Sequence, residues 1–232
     1  MNFDFYHKTT GELLFKGCHL VNASLRFIVA NGVDKGPPFK LSIAFRRFRM
    51  EGSGLIEIVP AGSTNGSRSV IRNLNISVAE GSNISLDDTP VLFAVKGTQE
   101  EKAEGTTAAT GLEVANILFH VRDSTISGTR RNVSSSIQPH DHDILVLSIT
   151  TSNHPLTTVS NVVWDIQNSV LFAESQGGSS ALASIVNATR VDTVRMDLRD
   201  VNSTSLSTSL NTQPNKPHLA SYNFHHSIGN IV

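Results

Sequence analysis

Apolar and polar residues alternate along Val162-Val163-Trp164-Asp165-Ile166-Gln167, with Val162, Trp164 and Ile166 on one side of the chain. That is the period of a strand with one buried face. The same pattern, starting three residues earlier at Val159-Ser160-Asn161, recurs upstream. Ile71-Arg72-Asn73-Leu74-Asn75-Ile76-Ser77-Val78 and Val114-Ala115-Asn116-Ile117-Leu118-Phe119-His120-Val121 align with it without a gap, and Val191-Asp192-Thr193-Val194-Arg195-Met196-Asp197-Leu198 follows downstream. Two further copies are read at the ends, Leu20 to Phe27 and Ile228 to Val232, the second stopping mid-strand as a fragment of a longer repeat array would.

A second apolar strand lies between the copies: Val91-Leu92-Phe93-Ala94-Val95, Ile144 to Ile149, Ala181 to Val186 and His218 to Tyr222, with Leu13-Leu14-Phe15 and Leu41 to Phe45 as earlier members. Repeats of about 30 to 50 residues with inserted loops are expected of a solenoid. The inserts carry the ladder-breaking residues: Asp34 to Pro38, Gly62 to Ser67, Gln99 to Gly105, Ser134 to Pro139 and Asn211 to Pro217 are Gly-, Pro- or polar-rich. A two-strand unit cannot bury its apolar face alone, so the units must stack. Few Asn-Gly hairpin signals are present, Asn31-Gly32 and Asn65-Gly66 apart, so the strands are expected to stack in parallel. The expected fold is all-β: a right-handed parallel β-helix spanning residues 1 to 232 as one segment, with two principal strands per degenerate repeat. A lectin-like sandwich of antiparallel sheets is the rival, and contact between Asn116 and Asn161 would exclude it.

The third position of the template is Asn22, Asn73, Asn116, Asn161 and Asn230, with Thr193 once. It stands where the alternation slips. Asparagine tolerates a left-handed backbone and can pass amide hydrogen bonds to its copy one coil away, so a buried asparagine ladder is expected at a corner.

The pattern Val-x-Asn-Val-x-Trp/Phe-x-Val-x-x-Ser, with Ser/Thr-rich connections and many Asn-x-Ser/Thr triplets, resembles the dispersed gene family surface proteins of trypanosomes and related kinetoplastid surface repeats. For residues 12 to 232 the resemblance implies a β-helical, pectin-lyase-like body exposed at a cell surface; adhesion is the role expected of its exposed face and loops. No catalytic residue carries over from it.

Charge changes the picture little: 19 Lys and Arg against 20 Asp and Glu, scattered along the chain, point away from nucleic acid. The single cysteine, Cys18, excludes an intrachain disulfide framework. No apolar run approaches the roughly 20 residues of a membrane span, so this segment is not expected to insert in a membrane. Nor does Met1 to Lys8 read as a secretory signal. A cell-surface or extracellular location therefore requires that the segment belong to a longer exported protein.

Asn22, Asn65, Asn75, Asn83, Asn132, Asn187 and Asn202 each begin a glycosylation triplet, and burial in the ladder would close Asn22. His140 and His142, in His140-Asp141-His142-Asp143, have metal-ligand types at same-face spacing, with His218, His225 and His226 as third ligands; the bland reading, a solvated turn, is preferred, and no cofactor is expected. Reading outward positions across the template puts Ser77, His120, Asp165 and Asp197 in one row and Ala79, Arg122, Gln167 and Arg199 in the next. Coils about 4.8 Å apart would bring Asp165 and Asp197 within the roughly 5 to 5.5 Å of a retaining glycosidase pair. The arginines, however, favour two ionised carboxylates over a general acid. The expected function is thus a non-catalytic surface or structural module that binds a glycan or a host or cell-surface protein through Arg122, Asp165, Arg195, Asp197 and Arg199. A polysaccharide lyase or glycoside hydrolase using His120, Asp165 and Asp197 is the alternative. An uncapped last coil would also favour end-to-end self-association.

Overall fold

The computed structural model describes residues 1–5, 11–29, 40–60, 69–88, 91–97, 112–130, 144–151, 157–176, 180–186, 188–208 and 222–223. Among them there is strand and turn but no helix, and so no helix long and apolar enough to cross a membrane. Strands β1 (Asn2–Phe5), β2 (Gly11–Lys16) and β3 (His19–Val21) begin three separate sheets. The next three, β4 (Leu25–Val29), β5 (Leu41–Arg46) and β6 (Arg49–Gly52), pair with them in parallel in the same order. The chain repeats this round through β7 (Ile56–Pro60), β8 (Ser69–Ala79), β9 (Asn83–Asp87), β10 (Val91–Gly97), β11 (Leu112–Arg122) and β12 (Thr125–Arg130). It continues with β13 (Ile144–Thr151), β14 (Thr157–Gln167), β15 (Val170–Gln176), β16 (Ser180–Val186), β17 (Arg190–Arg199) and β18 (Asn202–Thr208), and ends on β19 (Tyr222–Asn223). Every strand thus pairs with the third one along, and only β19, antiparallel to β16, breaks the direction.

We call the sheet that begins with β1 the first, the sheet β17-β14-β11-β8-β5-β2 the second, and the sheet β18-β15-β12-β9-β6-β3 the third. Parallel pairing of β1 to β18 excludes the antiparallel sandwich. Each repeat carries three strands and not two, because the template runs through a corner: Gln167 ends β14, Asn168 turns, and Ser169 leads into β15. Leu13 to Phe15 and Leu41 to Phe45 belong to the template's own sheet, since Ile43 aligns with Ile76 of β8.

Side chains from all three sheets meet in one apolar cluster that includes Phe27, Ile43 and Ile84. Columns of equivalent positions run through it, as in Leu13, Ile43, Ile76, Phe119, Trp164 and Met196. Phe119 and Trp164, both fully buried, stack with ring centroids 6.2 Å apart and planes 8° from parallel; Phe15 and Phe45 do the same at 5.2 Å. Such ring pairs add about 0.5 to 1.5 kcal/mol beyond the area they bury.

Two columns of left-handed residues shape the repeat. Asn73, Asn116, Asn161 and Thr193 have φ of 56°, 57°, 52° and 52°, and each resets the alternation so that both flanking apolar residues, Ile71 and Leu74 for instance, point inward. Asn161 Nδ2 donates to Asn116 Oδ1 at 2.7 Å, and Asn116 Nδ2 to Asn73 Oδ1 at 2.8 Å. This ladder is solvent-facing and not buried, because a left-handed residue between two inward neighbours throws its own side chain out. Asn22 is not part of it. The copy read at Leu20 to Phe27 spans the corner between β3 and β4, where Asn22 accepts the Ser53 amide at 3.0 Å and sits so close over Gly52 (φ 84°) that a side chain there would collide with Asn22 Oδ1. Asn230 and the Ile228 to Val232 copy lie outside the described residues.

The second left-handed column turns the chain from the second sheet to the third in a single residue at Gly17, Arg47, Asp123, Asn168 and Asp200, and in two at Glu80-Gly81. Behind it Ser82, Ser124 and Ser169 are buried in consecutive repeats. Ser169 Oγ donates to Gln167 O at 2.6 Å and accepts the Ser124 amide at 3.2 Å; Ser82 Oγ donates to Ala79 O and accepts the Phe48 amide. A serine is small enough for the corner and satisfies the amide that the turn leaves over.

Candidate functional site

The outer face of the second sheet brings the charged rows together. His120 aligns with Ser77 on one side and Asp165 on the other, and Asp165 aligns with Asp197; Arg122, Gln167 and Arg199 form the adjoining row. Period-two alternation points all of them away from the core, and the shared left-handed corner at Asn73, Asn116, Asn161 and Thr193 keeps their register.

Contacts follow the rows. His120 Nδ1 lies 3.0 Å from Asp165 Oδ2, and Gln167 Nε2 donates to Asp165 Oδ1 at 2.9 Å. Arg122 Nη2 in turn donates to Gln167 Oε1 at 3.1 Å, so Arg122, Gln167, Asp165 and His120 form one connected network across two strands. Asp197 takes a different partner and accepts Arg195 Nε at 2.8 Å. Asp165 and Asp197 are therefore neighbours in register whose carboxylates serve different partners.

Burial alone would push the Asp165 carboxyl up. The Gln167 amide, the charge and hydrogen bond of His120 and the charge of Arg199 outweigh it, and the group is held below its ordinary value. Asp197 correspondingly holds the Arg195 guanidinium further in its charged form. A general acid needs the opposite setting, so Asp165 is an acceptor and a fixed negative charge. The side chains of His120 and Asp165 are 25% and 22% exposed, partly desolvated but open to a ligand on the outer side.

The network's wiring was not visible in the sequence. Gln167 carried no assigned role, yet it is the link between Arg122 and Asp165. A second polar cluster, on the outer face of the third sheet, was missed altogether: Glu51 receives Arg49 Nη2 at 2.8 Å and lies 3.0 Å from His19 Nε2, and these partners, Arg49 first, hold its carboxyl below the ordinary value. Its three residues sit on strands whose existence as a separate sheet had no signature.

Among the glycosylation triplets, Asn83 and Asn202 are exposed at the starts of β9 and β18, whereas Asn75 is half-buried mid-strand with Oδ1 buried and unpartnered. Asn65, Asn132 and Asn187 lie outside the described residues, as do His140, His142, His218, His225 and His226. Among the described residues no group of three His, Cys, Asp or Glu is placed to hold a metal ion.

Comparison of the chain with protein-family models, with curated proteins and with solved structures finds no match.

Proposed function

We propose that the chain is a segment of right-handed parallel β-helix, part of a longer array, that works as a non-catalytic interaction module at a cell surface. Right-handed crossover is the rule for parallel strands joined in sequence, which supports the handedness. The observation that carries the functional reading is the Arg122-Gln167-Asp165-His120 network with Arg195-Asp197 beside it. It offers alternating guanidinium, amide and carboxylate groups along a regular face, in geometry set by neighbouring strands. Hydroxyl-rich ligands are recognised by such donor and acceptor pairs, so the partner is a glycan, free or carried on a surface protein. Exposure of Asn83 and Asn202 supports glycosylation of the module itself in an exported protein. Kinship with the trypanosome dispersed gene family surface proteins belongs to the same proposal and rests on repeat style.

The test is binding of the purified chain to an immobilised panel of neutral and acidic polysaccharides and glycoproteins, repeated with Arg122→Ala and Asp165→Asn. The expected result is saturable binding to a subset of the panel, weakened about tenfold by either change, which corresponds to about 1.4 kcal/mol. Binding that neither change alters would remove the face from consideration, and no binding would remove the glycan. The carbohydrate-active enzyme is the second reading, favoured by the adjacency of Asp165 and Asp197, and opposed by the lowered Asp165 carboxyl.

A further inference from the structure

The second sheet ends, before the corner to the third, on one outward row: Lys16, Arg46, Ala79, Arg122, Gln167 and Arg199. Ala79 takes its place one position beyond Val78, which aligns with Val121. The row contains no carboxylate, and its arginines stand on every second strand, β5, β11 and β17, with the neutral Ala79 and Gln167 between them. At roughly 4.8 Å per strand, one guanidinium follows the next at about 9.6 Å. Lys16 and the three arginines are exposed. The corner beside them is short in every repeat and all its residues are described, so the row borders a ridge without inserted loops.

Its cations are also the ones without matched acids. Arg26, Arg47, Arg49, Arg72, Arg190 and Arg195 each lie 2.7 to 3.7 Å from a carboxylate oxygen. Lys16, Arg122 and Arg199 form no ion pair among the described residues, not even with Asp123 and Asp200, which follow the two arginines in the left-handed corner. Arg122 donates to the neutral Gln167, and Arg46 shares the single carboxylate of Glu80 with Arg47, at 3.3 and 3.7 Å. The parallel row one step back along the strands, Ser77, His120, Asp165 and Asp197, offers acceptors instead of cations.

We propose that the glycan of this face is a linear acidic polysaccharide with one anionic group, carboxylate or sulfate, on every second sugar, lying across the strands with its anions on Arg46, Arg122 and Arg199. This rests on the glycan reading above and names the charge pattern of the ligand. Two strand spacings match the length of a disaccharide in an extended chain, so successive anions of an alternating polymer meet successive arginines. Hydroxyls on the opposite edge of the polymer donate to Asp165 and Asp197, which repel a second line of anions. Charge complementarity of this kind sets partner and register.

The experiment titrates the full 232-residue chain onto three immobilised polymers: hyaluronan, with a carboxylate on every second sugar, κ-carrageenan, with a sulfate there, and neutral dextran. Salt-sensitive binding to hyaluronan or κ-carrageenan and none to dextran is expected, and the polymer retained identifies the anion. Arg46→Gln and Arg199→Gln, both outside the Arg122-Gln167-Asp165-His120 network, are each expected to weaken binding about fivefold at low salt. Arg46→Ala combined with Ala79→Arg moves one guanidinium to the next strand at constant net charge and is expected to bind as weakly as Arg46→Gln. Full affinity in that double variant, or equal binding of single-stranded DNA, would mean that charge alone is read and overturns the proposal. Binding to dextran that Asp165→Asn weakens and Arg46→Gln and Arg199→Gln leave unchanged overturns it too, while the glycan reading stands. Failure to bind any of the three polymers also overturns it, and the wider glycan panel then decides that reading separately.

Discussion

Replacing Asn116 separates the two jobs its column performs. Its φ of 57° is left-handed, and its amide bridges Asn73 at 2.8 Å and Asn161 at 2.7 Å. Alanine in that backbone region costs roughly 1 to 2 kcal/mol, and each of the two exposed hydrogen bonds contributes about 0.5 to 1, so Asn116→Ala is expected to destabilise by about 2 to 4 kcal/mol. Glycine restores the backbone but not the bonds, so Asn116→Gly is expected to cost about 1 kcal/mol less than alanine, even after its greater freedom in the unfolded chain. Asn116→Asp keeps an acceptor for Asn161 Nδ2 but presents a carboxylate to Asn73 Oδ1, and falls between them. Urea unfolding of the four proteins, compared through midpoint and slope, reads the series. Equal losses for alanine and glycine would refute the backbone part of the argument, and an unchanged aspartate variant the hydrogen-bond part.

Trp164 is fully buried with its Nε1 unpartnered, so Trp164→Ala should cost about 3 to 5 kcal/mol whereas Trp164→Phe, which removes the unsatisfied N–H while keeping a ring beside Phe119, should cost less than half of that; thermal melts compare them. Ser169→Ala strips the Ser124 amide of its partner in a buried corner and is expected to lose about 1 to 3 kcal/mol in the same melts. The Asp165 carboxyl is lowered in the folded chain, so its contribution is present above the unfolded value of about 3.9 and is lost as pH falls through the lower folded value. Asp165→Asn should therefore be less stable than the wild type at pH 7 and approach it below about pH 4; a gap that stays constant with pH would show that charge is not the cause.

Strands with a buried face and a shared asparagine were legible because the alternation slips at one position in each copy, where asparagine, which accepts a left-handed backbone, stands in three copies and Thr193 in the fourth. The third sheet was not legible. In the later repeats its corner is turned by a single residue, Asp123, Asn168 or Asp200, without the Gly or Pro that marks a break, and its strands show outward Ser and Thr, as in Thr125-Ile126-Ser127, that read as loop. Asn22 was misplaced for the related reason that Leu25-Arg26-Phe27 alternates like the template although it belongs to the first sheet. For the site, period and register together put His120, Asp165 and Asp197 in one row, and the sheet does so. Which partner each carboxylate takes depends on side-chain rotamers, and that choice turns Asp165 toward His120 and Gln167 and leaves Asp197 to Arg195.

The claim that this face binds without turning over its ligand is tested most directly by prolonged incubation of the chain with each polysaccharide it retains, followed by assay of reducing ends and unsaturated products. No release above a protein-free control, with the ligand still bound, is the predicted result. Product formed by the wild type and lost in Asp165→Asn or Asp197→Asn would contradict it and make the face an active site.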